Sequence, residues 1–159
     1  MRLILFSMIL IVARLIPHVA NFVPIAVYSV WLISNYSKKQ AIIIFFSALL
    51  FSDVLLYFMH GYSLFSPWFL INYFSYAILF LVPITRINIL IAAGMLLPFS
   101  FWMISNLCLW VATPYYAHDF FGLISCFILA LPFLKMSVLA NTLGSLVVYH
   151  EKLIPHPTR

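Results

Sequence analysis

Charge is what this sequence has least of. Only 7% of its 159 residues are Asp, Glu, Lys or Arg, and only three of them are acidic. That excludes an ordinary soluble domain, in which about a quarter of residues are charged and about half are apolar. Common catalytic signatures are missing as well. There is no H-E-x-x-H, no G-x-S-x-G, no phosphate-binding glycine loop and no acidic metal-binding pair. No carboxylate pairs with a histidine at a recognisable spacing, so no enzymatic activity is expected. Cysteine is sparse too. Cys108 and Cys126 lie inside apolar segments rather than in a spaced framework, which argues against a disulfide scaffold and against a zinc motif.

What is present is lipid-compatible chain. Hydrophobic residues reach 66% and the mean hydropathy is +1.15, the composition of an integral membrane protein. Leu15 to Ser37, Val54 to Thr85, Ile87 to Ala117 and Met136 to His150 contain no Lys, Arg, Asp or Glu. Each holds most or all of a bilayer-crossing helix, which needs about 20 residues. Met1-Arg2 followed by Leu3 to Ala13 mimics a secretory signal, yet no small-x-small cleavage site follows before Arg14 and Pro17. An uncleaved first helix is expected there.

Breakers and charges divide the chain into six apolar segments, at about 2–16, 24–36, 39–59, 67–83, 88–112 and 120–149. Lipid tolerates no unpaired backbone, and no strand-period alternation runs through these segments, so all six read as helices. The expected fold is all-α: a single polytopic domain over residues 1–159 with six transmembrane helices. The first two segments are short for a full crossing, so tilting or packing inside the bundle is expected of them.

The net charge of +5 would suggest nucleic acid in a soluble protein. Here the basic residues are scattered, most of them at segment ends, which is a topology signal and leaves no nucleic-acid partner expected. With six crossings, Arg2, Lys38, Lys39, Arg86, Lys152 and Arg159 fall on one face, the cytoplasmic one, and both termini lie inside a bacterial cytoplasmic membrane. The opposite face collects Arg14, His18, Asn21, Asp53, Tyr57, His60, Asn106, Trp110, Tyr115, Tyr116, His118 and Asp119.

Three constellations stand out. Asp53, Tyr57 and His60 are spaced i, i+4, i+7 on the third helix and share one stripe. An ionisable group at membrane depth normally faces the bundle interior with a partner, and Arg14 is the leading partner for Asp53. The pair reads as a structural clasp or as the floor of a polar pocket, and the two roles are compatible. Trp102, Asn106 and Trp110 repeat at i, i+4, i+8 on the fifth helix, where two indoles flank an amide. Tryptophan at that depth also serves as a membrane anchor, whereas a deep amide needs partners. On the sixth helix Lys135 follows Pro132, and Ser137, Asn141, Gly144 and Ser145 form a small polar stripe suited to close helix packing. Asn72 and Tyr76 do the same on the fourth. Lys135 reads as snorkelling, as pairing with a carbonyl freed by Pro132, or as a coupling residue. His18, His60 and His118 lack local ligand spacing, so no metal and no other cofactor is expected.

The runs R-L-I-P-H-V-A-N-F-V-P-I, S-D-V-L-L-Y-F-M-H-G, S-N-L-C-L-W-V with P-Y-Y, and G-L-I-S-C-F-I-L-A-L-P-F together resemble a bacterial family of uncharacterised transport proteins. That family is similar to the S components of energy-coupling factor (ECF) transporters. The resemblance spans nearly the whole chain, and R-L-x-P-H-x-x-N-F-x-P is its most specific element. It implies a six-helix bundle that binds a vitamin-like micronutrient from the outer side. It also implies partners: the small-molecule substrate, the lipid bilayer, a transmembrane energising subunit and ATPases. By motif position it places Arg14, His18, Asn21, Asp53, His60, Asn106 and Trp110 in or beside the pocket, and the Asp53 stripe adds Tyr57. No A-x-x-x-A pair, through which many S components dock, occurs between Met1 and Ile16. Two other readings stay open: a structural or assembly membrane protein held by an ion-pair clasp, and a small membrane enzyme using His60 or His118 as base.

Overall fold

The computed structural model describes residues 2–16, 21–81 and 92–153. Among these residues there are six α-helices and no strand: α1 (Arg2–Leu15), α2 (Ile25–Asn35), α3 (Lys38–His60), α4 (Pro67–Leu79), α5 (Leu97–Ala112) and α6 (Phe120–Leu153). The all-α expectation holds. The helix starts and ends agree with the sequence reading to within one residue for α1, α2 and α3. Two ends differ. The fourth helix stops at Leu79 rather than at 83, where Phe80 and Leu81 make i→i−3 bonds that tighten its last turn. The sixth continues to Leu153.

Local chemistry sets most of the boundaries. Ser37 accepts from the Gln40 backbone N–H while the Gln40 side chain accepts from the Ser37 N–H, a capping box that starts α3. Gly61, at φ +70°, closes α3 in the left-handed conformation that glycine adopts without strain. Ser66 caps α4, with Pro67 in its first turn. Asp119 accepts from the Gly122 N–H at 2.7 Å at the start of α6. Ahead of α5, residues Ala92–Leu96 form a π turn. Pro98 lies just past it, and its missing N–H and its ring disfavour the regular i→i−4 pattern with Gly94.

Among the described residues, three stretches are long and apolar enough to cross a membrane: Lys38–His60, Gly94–Ala112 and Phe120–Val148. The other helices are shorter, at 14 residues for α1, 11 for α2 and 13 for α4. At 1.5 Å per residue α2 rises only about 16 Å against a hydrocarbon core of about 30 Å. Its seven residues from Ala26 to Leu32 are all buried, so protein rather than lipid surrounds most of its length. Among the described residues α2 is the centre of the core. Trp31 stacks on Phe6 at 4.5 Å, Tyr28 on Phe45 at 6.2 Å, and Leu32, Phe45, Leu49 and Leu97 are nearly inaccessible.

The outside is the reverse. Phe58, Leu70, Val111, Ile128 and Leu129 are each more than half exposed, as are large apolar side chains on every helix but the central one. A soluble monomer rarely exposes apolar patches beyond a few hundred square ångströms. This exterior, with the three long apolar helices, marks a membrane protein.

Close packing of α2 against α6 uses the polar stripe of α6. The Asn141 carboxamide oxygen accepts from the Val27 N–H at 3.1 Å, and its NH₂ donates to the carbonyls of Ser137 and Val23. No side chain of its own caps α2, so Asn141 supplies the partner from another helix. Gly144 permits the approach: a Cβ there would sit 3.1 Å from Pro24 Cβ and 3.2 Å from Val27 Cγ2.

Candidate functional site

Between the helices lies a cavity of about 720 Å³. Its lining comes from the turn ahead of α2 and from α1 to α6, with Arg14, Asn21, Asp53, Tyr73, Asn106 and Asn141 among its polar residues. Ligand pockets in proteins commonly measure 300 to 1,000 Å³ and are mostly apolar with a few placed polar groups.

Arg14 and Asp53 form an ion pair, with side chains only 19% and 14% exposed. Arg14 also donates to the Leu49 carbonyl at 3.2 Å and to the Ser52 hydroxyl. The second Asp53 oxygen accepts from the Tyr73 hydroxyl at 2.8 Å. One carboxylate therefore ties α1, α3 and α4 together while lining the cavity. Clasp and pocket wall, the two roles the sequence leaves open, are geometrically the same group.

Asn106 lines the cavity from α5. Its NH₂ donates to the Trp102 carbonyl at 2.7 Å, and among the described residues its carboxamide oxygen has only the Cys126 thiol, 3.9 Å away. Trp102 is on the wall as well, its indole N–H donating to the Ala130 carbonyl at 3.1 Å, within one turn of Pro132. Tying the indole to α6 fixes the ring's orientation.

Asn21 lines the cavity in a left-handed conformation, φ +65°, which asparagine tolerates better than most residues. His18 lies outside the described residues. Tyr57 and His60 are not on the wall. Tyr57 is 45% exposed with its ring against Phe58, and His60 is exposed beside Tyr62. They share a stripe with Asp53, but the wall passes from Asp53 and Leu56 to Tyr62, Ser63 and Leu64 beyond the end of α3 without them. Trp110 is also off the wall. Its indole donates to the Ala117 carbonyl at 2.8 Å and its ring meets His118 edge-on, so it braces the α5–α6 turn.

Sequence reasoning missed Tyr73, Phe69 and Phe101, and it assigned Asn72 and Tyr76 to helix packing. All five line the cavity. The available signal was Asn72, Tyr73 and Tyr76 at i, i+1 and i+4 in an otherwise apolar helix. Lys135 is exposed on α6, is not part of the wall, and has no hydrogen-bond partner among the described residues. No group of three or more His, Cys, Asp or Glu side chains converges among the described residues. His118 instead faces the Thr113 carbonyl at 3.1 Å.

Fold and site together define an all-α membrane protein built around a ligand-sized, aromatic-walled cavity. The chain belongs to a family of unknown function, DUF6580, whose model matches residues 1–153. No curated protein and no solved structure matches it.

Proposed function

We propose that this protein is the substrate-binding component of a micronutrient uptake system, similar in its working to an ECF S component. It crosses a bacterial cytoplasmic membrane six times with both termini inside, captures a vitamin-like small molecule from the outer side, and passes it inward. It has no catalytic activity of its own. A transmembrane energising subunit and ATPases supply the drive, since no phosphate-binding glycine loop occurs in the chain.

The observation that carries this reading is the cavity beside Asp53. A purely structural clasp needs no empty volume next to it, and about 720 Å³ adjoins this one. The helix directions agree with alternating crossings. Ser7 meets Tyr28 and Phe6 meets Trp31, so α1 and α2 are antiparallel. Tyr76 meets Phe101 and Trp68 meets Tyr115, so α4 and α5 are antiparallel. Cys126 meets Asn106 and Ala130 meets Trp102, so α5 and α6 are too. The short α1, α2 and α4 reach across by tilt, by local thinning of the bilayer, or under cover of their neighbours.

Native mass spectrometry of the protein purified from its own host tests the proposal. A retained small molecule is expected, and it should be lost from Asn106→Ala and Asn106→Leu variants that keep their helical content. Variants that retain it as the parent does, or a parent that carries and binds nothing across a micronutrient panel, would refute the reading.

A further inference from the structure

The hydrogen-bonding state of the cavity wall narrows the chemistry of what it holds; this step rests on the transport reading above. Among the described residues, both charges on the wall are already engaged with each other. Arg14 also serves Leu49 and Ser52, and Asp53 also serves Tyr73. The pair is neutral as a unit, so a charged ligand would bring its own charge into a site less than one-fifth exposed with no counter-charge left over to offset its desolvation. A metal ion would find no cluster of three ligating side chains among the described residues.

The unengaged groups are neutral. Asn72 and Tyr76 both line the cavity, and neither the carboxamide nor the hydroxyl has a hydrogen-bond partner among the described residues. The Asn106 carboxamide oxygen has, among the described residues, only a distant thiol at 3.9 Å. Asn72 and Tyr76 line the cavity from α4 and Asn106 lines it from α5. Tyr76 stacks on Phe101 at 4.4 Å, and because α4 and α5 are antiparallel, one turn from that contact brings Asn72 about level with Ser105. A carboxamide and a phenol can each donate and accept, so these groups match a ligand edge that carries both kinds of group. The wall also carries the rings of Trp68, Phe69, Phe101 and Trp102; Phe69 stacks on Tyr73 at 4.2 Å and Phe101 on Tyr76, so stacking is a mode of contact this wall already uses.

We infer that the cavity takes an uncharged, planar aromatic compound with an amide-like or lactam-like edge, held at that edge by Asn72, Tyr76 and Asn106. The Arg14–Asp53–Tyr73 clasp stays closed on itself and forms the wall behind the ligand.

Matched compounds that differ chiefly in charge test this on the full-length protein in detergent or nanodiscs. Nicotinamide is compared with nicotinate and the N-methylnicotinamide cation, adenosine with adenosine monophosphate, and riboflavin with flavin mononucleotide. Binding is read by thermal shift and tryptophan quenching. In at least one set the neutral member should bind at least about tenfold tighter than its charged counterpart, and Asn72→Ala and Tyr76→Phe should each weaken it about tenfold. Both variants should elute and unfold like the parent without ligand. Equal or tighter binding of a charged member overturns the neutral class and leaves the transport reading standing. Binding of a neutral member that is indifferent to both variants overturns the proposed edge. If no compound binds and the purified protein retains no small molecule, the ligand class and the transport reading fall together.

Discussion

Asp53→Leu strands two donors at once, the Arg14 guanidinium and the Tyr73 hydroxyl. Breaking a mostly buried pair from one side leaves an uncompensated charge, so the single variant should lose about 3 kcal/mol of stability. The Arg14→Met/Asp53→Leu double variant, with no charge left to satisfy, should recover most of that loss. Thermal unfolding across the double-mutant cycle measures it, and additive losses would deny the pairing. Tyr73→Phe removes one hydrogen bond to a charged acceptor and should cost about 1.5 kcal/mol in the same assay. At this scale the sequence was partly readable. In a chain so poor in charge, Asp53 and Arg14 had few alternatives to each other. Tyr73 carried no comparable signal, because a tyrosine in an apolar helix is as compatible with a membrane interface as with a buried acceptor.

For the helices, the sharpest dependence is the α2–α6 crossing. Gly144→Ala should cost less than a larger side chain but not nothing, since Pro24 Cβ at 3.1 Å and Val27 Cγ2 at 3.2 Å must each yield by a few tenths of an ångström. Gly144→Leu should push α2 away from α6 and lose about 1 to 3 kcal/mol. Asn141→Leu keeps the bulk but leaves the Val27 N–H unpaired in the core, for a similar loss of about 1 to 3 kcal/mol. Unfolding measured by circular dichroism ranks the three variants, and an Ala variant as damaged as the Leu variant would refute the close-approach argument. At the start of α6, a Cβ on Gly122 would lie 1.9 Å from the Ala117 carbonyl oxygen. Gly122→Ala should therefore break the turn that Asp119 caps, and release the Trp110 indole from Ala117 with a visible change in fluorescence. Helix existence and most boundaries were legible because Ser37, Ser66, Pro67 and Gly61 act locally. The early stop of α4 and the π turn before α5 depend on how the backbone settles around Phe80 and Pro98, which periodicity does not report.

Across the whole molecule, the alternating-crossing proposal has a direct consequence for labelling. A cysteine at Ser37, between α2 and α3, should react with a membrane-impermeant maleimide only after the cytoplasmic side is opened. One at Ser63, between α3 and α4, should react in intact cells; the same accessibility for both would exclude α3 as a crossing. What the sequence determined by itself is what composition and short-range chemistry control. Too little charge and too much apolar surface for water require a membrane, backbone hydrogen bonding in lipid requires helices, and caps and prolines cut those helices at particular residues. Which residues face one another was decided only by the tertiary structure. The stripe Asp53, Tyr57, His60 is genuine helical geometry, yet of the three only Asp53 lines the cavity, while Tyr57 and His60 are exposed. Asn72 and Tyr76 read as packing residues; Tyr76 does pack α4 on α5, by stacking on Phe101, and both residues also line the cavity. Helix lengths and crossing points are long-range quantities, and no local pattern of residue types encodes them.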